Sequence, residues 1–276
     1  GINAQISVPE HNWKEFVEDL NNYDDLENIP FKIAVEDNGK SFFKLTIKVR
    51  DKIVADGLSF EDYDVTNVGT RLNAKEWNDA INKGATVVDM RNHYESEIGR
   101  FEGAICPDAE TFKEELPIVK DILDGKKDET VLLYCTGGIR CEKASAYLKH
   151  YGFKDVNQLH GGIIDYVRQI KESPEIENKF VGKNFVFDGR LGERISDDII
   201  SFCHQCNDAC DEHTNCKNVN CNLLFIQCES CKAKYENCCS FDCVEVSKLT
   251  EVERKLLNKK KKKKRIFHRH KKVKLN

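Results

Sequence analysis

Short apolar segments alternate with longer amphipathic ones between residues 67 and 180, and this alternation constrains the fold more than any other feature. We predict buried strands at 86–89, 131–134 and 156–158, and a helix at 143–151. Strands that alternate with helices form a parallel sheet covered by helices. The sequence therefore predicts an α/β domain over this region.

Cys135 follows directly after the apolar segment that ends at Tyr134, and two glycines come shortly after it. Reactive groups in such sheets gather at the carboxyl ends of strands. The glycines permit a tight turn before a helix that we expect to begin near Glu142, so backbone N–H groups and the helix dipole face the thiol. Together with Arg140 they favour the thiolate, which is the nucleophilic form. A buried structural cysteine beside a turn is the alternative.

Residues 135–140 resemble the active-site loop of rhodaneses, in which arginine follows cysteine by five residues with glycines between them. Segments 88–91 with Glu95, 101–105 and 159–162 match the same family in the same order. The resemblance implies a rhodanese fold with Cys135 and Arg140 as catalytic residues. The rest of the loop consists of Thr136, Gly137, Gly138 and Ile139.

The resemblance also implies supporting roles for Asp89, which would help organise the loop, and for Arg91, which would anchor nearby carboxylates. A structural ion pair is the alternative for both. Cys141 either resolves an oxidised or persulfidated Cys135 as a disulfide or packs in the first helical turn, and we expect packing. Rhodanese loops of six residues commonly carry sulfane sulfur.

The longer segment 134–143 resembles one family closely, the bacterial tRNA uridine hydroxylases. In that family a rhodanese domain lies between a ferredoxin-like module and a cysteine-rich segment, and further matching strings occur at 1–4, 203–206, 213–216, 224–228 and 238–240.

This resemblance implies hydroxylation of the wobble uridine, uridine 34, of tRNA to 5-hydroxyuridine, with molecular oxygen as co-substrate and an unidentified reductant. No flavin or NAD fingerprint is evident. A rhodanese-type sulfurtransferase that carries a persulfide on Cys135 is the alternative.

Residues 1–60 have the pattern of a small ferredoxin-like α+β module. We predict strands at 2–8, 31–35 and 42–49, a helix at 10–20, and a hairpin turn at 37–40. The family's module has a further strand and helix before the segment that matches residues 1–4, so we expect an incomplete module here.

Residues 181–250 lose their apolar periodicity, and ten of the 13 cysteines lie between Cys203 and Cys243. Two CxxC pairs, Cys203 with Cys206 and Cys228 with Cys231, are suited to place four thiolates on one tetrahedral ion, so we predict structural zinc. Disulfides, an iron–sulfur cluster and free thiols are the alternatives. His204 and His213 are expected to be solvated. The remaining thiols that are available for a second ion are Cys210, Cys216, Cys221, Cys238, Cys239 and Cys243.

The chain carries a net charge of −4, but its last residues, 251–276, form a basic tail. We predict a short helix at 251–257, followed by cations that would neutralise tRNA phosphates. A solvated, flexible tail is the alternative. The cations proposed to contact nucleic acid are Lys259, Lys260, Lys261, Lys262, Lys263, Lys264 and Arg265.

Apolar runs fall short of the roughly 18 residues of a membrane span, and no secretory signal is evident at Gly1. We therefore expect a cytoplasmic protein with reduced thiols and no membrane partner.

Overall fold

The structure is a computed structural model that describes residues 2–34, 41–42, 44–59 and 61–258. In the N-terminal part a 3-10 turn, Glu10–Asn12, leads into helix α1, Trp13–Asn21. The helix predicted at 10–20 is therefore confirmed. Within the described ranges, no helix combines the length and apolar character that crossing a membrane requires.

The strands predicted at 2–8, 31–35 and 42–49 are wrong for the described residues of these ranges, which form neither strand nor helix there. The apolar side chains of the third segment are largely open to solvent, with Leu45 77% and Val49 96% exposed. Without a covered face, burial does not offset the entropy lost when extended chain is ordered. The turn predicted at 37–40 lies outside the described residues.

Strands and helices alternate from residue 70 to residue 184, as the sequence predicts. In chain order they are β1 (Thr70–Leu72), α2 (Ala74–Asn82), β2 (Thr86–Asp89), α3 (His93–Ser96), β3 (Gly99–Phe101), α4 (Phe112–Ile122), β4 (Thr130–Tyr134), α5 (Ile139–His150), β5 (Asp155–Leu159), α6 (Gly162–Glu172) and β6 (Phe180–Asn184). Four of the strands form a parallel sheet in the order β1-β5-β4-β2. The predicted parallel sheet and its strands at 86–89, 131–134 and 156–158 are confirmed.

Both faces of this sheet are covered, which explains why residues 131–133 of the interior strand β4 are all apolar. Along β4, Leu132 and Tyr134 join a core that includes Trp77 of α2 and Tyr166 of α6. Leu133 faces the opposite core, which is built with residues of α4 and α5. Cys135 belongs to this second core, so the cysteine leaves the sheet on the side of α4 and α5.

The cysteine-rich part contains little regular structure. Strand β7 (Glu193–Arg194) pairs with β6, which also pairs with β3, and β8 (His213–Asn215) forms a hairpin with β9 (Leu224–Ile226). Three helices follow, which are α7 (Glu229–Tyr235), α8 (Phe241–Lys248) and α9 (Glu251–Asn258). The helix predicted at 251–257 is confirmed as α9.

Candidate active site and cysteine clusters

Cys135 lies at the carboxyl end of β4 and is only 1% exposed. The backbone N–H of Gly138 donates a hydrogen bond to its Sγ over 3.1 Å. Gly138 has a φ of 94°, and this left-handed conformation lets α5 begin at Ile139, earlier than the expected start near Glu142. Arg140 therefore lies in the first turn of α5. The positive end of the dipole of this helix favours the thiolate form of Cys135.

The N-terminus of α6 contacts the backbone of the Cys135 loop. The N–H groups of Ile163 and Ile164 donate to the carbonyl oxygens of Cys135 and Thr136 over 3.0 and 3.2 Å. A Cβ atom on Gly162 would lie 2.5 Å from the carbonyl oxygen of Cys135, so only glycine permits this approach. On the other side, Lys32 of the N-terminal part donates to the carbonyl oxygen of Gly137.

The pKa of Cys135 is lowered to about 5. Burial alone would raise it, but a hydrogen bond from the Cys141 thiol, the charge of Arg140 and the N–H groups of Cys141 and Gly138 outweigh burial. Cys141 itself is fully buried, and burial together with its hydrogen bond to Cys135 raises its own pKa. At neutral pH the loop therefore holds one thiolate and one protonated thiol.

Arg140 is fixed by a carboxylate that we did not predict as a site residue. Glu95 of α3 is fully buried, and its carboxylate accepts hydrogen bonds from both terminal nitrogens of Arg140, over 2.6 and 2.9 Å. It also accepts the Thr136 hydroxyl over 3.3 Å and the backbone N–H of Asn92 over 3.1 Å. The signal in the sequence was a carboxylate three residues after Asn92, which a helix cap explains equally well.

Asp89 and Arg91 form a fully buried ion pair with a separation of 2.6 Å. Arg91 also donates to the carbonyl oxygen of Gly99 over 2.6 Å, and the Tyr134 hydroxyl donates to Asp89 over 2.7 Å. Because Tyr134 immediately precedes Cys135, the pair holds the end of β4 from which the loop departs.

The structure brings Cys203, Cys206, Cys228 and Cys231 together, with all four sulfur atoms within 4.8 Å of one another. The Sγ atoms of Cys206 and Cys228 are 3.5 Å apart. Four sulfurs at about 2.3 Å from a tetrahedral ion are about 3.8 Å from one another, whereas a disulfide needs about 2.05 Å. This first cysteine group can therefore hold a metal ion.

A second cysteine group, with its sulfurs inside the same 4.8 Å limit, consists of Cys216, Cys221, Cys239 and Cys243. The Sγ atom of Cys239 lies 3.7 Å from that of Cys221 and 3.6 Å from that of Cys243. The remaining candidates, Cys210 and Cys238, join neither group. The structure thus supplies the partition of ligands that spacing did not.

The expectation that His204 and His213 are solvated is wrong, because both are buried. The segment that carries His204 folds back against α3, where its Nε2 lies 2.9 Å from Oε1 of Glu97. Lys259–Lys264 and Arg265 lie outside the described residues, so their predicted contact with nucleic acid is still a prediction.

Three family models match consecutive parts of the chain. They are described as UPF0176 acylphosphatase like domain at residues 1–53, Rhodanese-like domain at 73–169 and Rhodanase C-terminal at 181–244. Among solved structures, a rhodanese-like domain from Anabaena is 18% identical with a TM-score of 0.32, and the match covers 42% of this chain and 80% of that domain.

Two curated relatives carry the name tRNA uridine(34) hydroxylase. The protein from Leptospira interrogans is 54% identical over 260 residues, which cover 94% of this chain and 71% of the relative. The protein from Photorhabdus laumondii is 52% identical over 257 residues, which cover 92% of this chain and 73% of the relative.

Proposed function

The chain belongs to the tRNA uridine(34) hydroxylase family, and we propose that it converts uridine 34 of tRNA to 5-hydroxyuridine with molecular oxygen as co-substrate. The observation that carries this proposal is the buried Cys135, whose pKa is lowered to about 5 by the loop around it. A thiolate at neutral pH is a nucleophile that an unperturbed cysteine supplies only in small part.

Within this reaction Cys135 is the reacting group, and its environment keeps it anionic. The N–H of Gly138 contacts the sulfur directly, while Arg140 acts through its charge and is itself fixed by Glu95. The same donors would stabilise an oxygen or sulfur adduct on Cys135. Insertion of one oxygen atom from dioxygen into a C–H bond also consumes two electrons and two protons, so a reductant is required.

The two cysteine groups fit structural zinc. Each offers four sulfurs at separations close to those around a tetrahedral ion, and sites with four thiolates are closed to substrate. Bound zinc would contribute folding free energy to a region with little regular structure. We assign it no part in the chemistry at Cys135.

The tRNA partner would meet the basic tail at 259–265, which would bind phosphates without regard to sequence. Selection of uridine 34 then falls to folded surfaces near Cys135. We also propose that the protein acts in the cytoplasm, where its 13 cysteines would stay reduced.

The test is to incubate unmodified tRNA with the wild type, Cys135→Ala and the control Cys106→Ser in air, and to analyse the digested nucleosides by mass spectrometry. Cys106 is a partly exposed cysteine outside the loop and both cysteine groups. We expect hydroxylated uridine with the wild type and with Cys106→Ser, but not with Cys135→Ala. Thiosulfate turnover without any change in tRNA would instead support a sulfurtransferase.

A further inference from the structure

Helix α3 is shared between the active-site loop and the cysteine-rich part. On one side Glu95 accepts hydrogen bonds from Arg140 and Thr136. On the other, Tyr94 and Ile98 belong to the apolar cluster that contains seven of the eight thiols of the two cysteine groups. A single turn of four residues is not stable alone, so its neighbours determine where α3 lies.

His204 provides a polar link from the first cysteine group to α3. It follows the ligand candidate Cys203, and the side chain of His204 is 1% exposed. The N–H of Ile226 donates to its Nδ1 over 3.2 Å, so the proton of a neutral ring is on Nε2. That nitrogen donates to Oε1 of Glu97, the residue that caps the C-terminus of α3, over 2.9 Å.

Ile226 fixes both the backbone and the ring of His204. The backbone N–H of His204 donates to the carbonyl oxygen of Ile226 over 2.9 Å, in addition to the contact at Nδ1. Its ring is therefore a fixed donor, and Glu97 is tied to β9 and to the first cysteine group through it. Movement of Glu97 would move Glu95, which lies two residues earlier in the chain and fixes Arg140.

We propose that His204 is a positioning residue for the active site, which through Glu97 holds α3 so that Glu95 keeps Arg140 beside the Cys135 thiolate. The inference rests on the proposed role of Cys135 as the reacting thiolate. The cysteine-rich part would then do more than fold itself, since the segment between Cys203 and Cys206 would set the geometry of the Cys135 loop, which is distant in sequence.

The link is tested from the α3 side, because Glu97→Ala leaves the sequence around the first cysteine group intact. The rate of alkylation at Cys135 is followed by peptide mass spectrometry from about pH 4 to 8, and the zinc content is measured at neutral pH. We expect Glu97→Ala to raise the midpoint by about one pH unit, which slows alkylation about tenfold below both midpoints. Zinc content is expected to stay at the wild-type level.

Two matched variants complete the design. Glu97→Gln keeps an oxygen that accepts from His204, so its midpoint should return towards the wild-type value. Glu172→Ala removes an exposed carboxylate that pairs with Arg168, and it should leave the midpoint unchanged.

A wild-type midpoint in Glu97→Ala overturns the proposal, whether zinc is retained or lost. A midpoint in Glu97→Gln displaced as far as in Glu97→Ala also contradicts it, because the hydrogen bond from His204 would then not be what positions α3. Since alkylation needs no tRNA, these outcomes are independent of whether the protein hydroxylates uridine.

Discussion

Replacement of Arg140 by methionine would separate the two roles of the Arg140–Glu95 pair. Glu95 is fully buried and Arg140 is 15% exposed, so Arg140→Met leaves a buried carboxylate without its bidentate partner. Loss of one partner of a buried pair costs about 3–5 kcal/mol of unfolding free energy. The hydroxyl of Thr136 and the N–H of Asn92 still donate to Glu95, which favours the lower end of that range.

The same substitution removes the charge that helps to hold the pKa of Cys135 at about 5. An opposite charge nearby is worth about 1–3 pKa units, so we expect a value of about 6–8 in Arg140→Met. The N–H of Gly138 and the thiol of Cys141 still lower the pKa, which keeps it below that of a free cysteine.

The double variant Arg140→Met with Glu95→Gln distinguishes the two effects. With both charges gone no unpaired carboxylate is left, so unfolding free energy should recover most of its loss. The pKa of Cys135 should nevertheless stay raised. Urea unfolding gives the stability, and alkylation of Cys135 against pH gives the pKa.

Arg71→Met is the matched control, because it breaks the Arg71–Glu142 pair, whose side chains are 52% and 38% exposed. An exposed pair contributes less than about 1 kcal/mol, and its loss should leave the pKa of Cys135 unchanged. An alkylation midpoint that stays at about 5 in Arg140→Met would refute the idea that Arg140 stabilises the thiolate.

Three further predictions concern the metal ions, the support of the loop and the tail. Purified protein should contain two zinc ions per chain, one for each cysteine group. Cys203→Ser and Cys243→Ser should each lose about one zinc ion, while Cys106→Ser keeps both. A single zinc ion in the wild type would contradict this prediction. Gly162→Ala should lower the unfolding free energy by about 1–3 kcal/mol more than Gly84→Ala. Both glycines have a positive φ, but only a Cβ atom at residue 162 would clash with backbone atoms. Equal losses of stability in urea unfolding would exclude this clash. Deletion of residues 259–276 should weaken tRNA binding and flatten its dependence on salt in filter-binding titrations, and an unchanged salt slope would remove the tail from the interface.

Much of the rhodanese domain could be predicted because its signals are local. Apolar runs such as 131–134 mark strands buried on both faces, and the glycines after Cys135 mark the turn. The sequence placed the start of α5 near Glu142, because it does not show that Gly138 both turns the chain and caps a helix that begins at Ile139.

The other parts depended on contacts that spacing does not reveal. Strands at 31–35 and 42–49 have suitable residues, but in the described structure their apolar side chains are not covered. Glu95 has the position of a helix-capping residue, and only the fold shows that it faces Arg140. Cys210 and Cys238 could not be separated from the grouped cysteines, since the partition depends on which cysteines, distant in sequence, the fold brings together.

The central claim is that oxygen from dioxygen reaches uridine 34 in a step that requires Cys135. The most direct measurement is a single-turnover reaction of full-length protein with unmodified tRNA under heavy-isotope dioxygen in ordinary water, with mass spectrometry of the nucleosides. We expect the new hydroxyl on uridine to carry the heavy isotope with the wild type and not to form with Cys135→Ala. An unlabelled hydroxyl, or equal labelled product with Cys135→Ala, would contradict it.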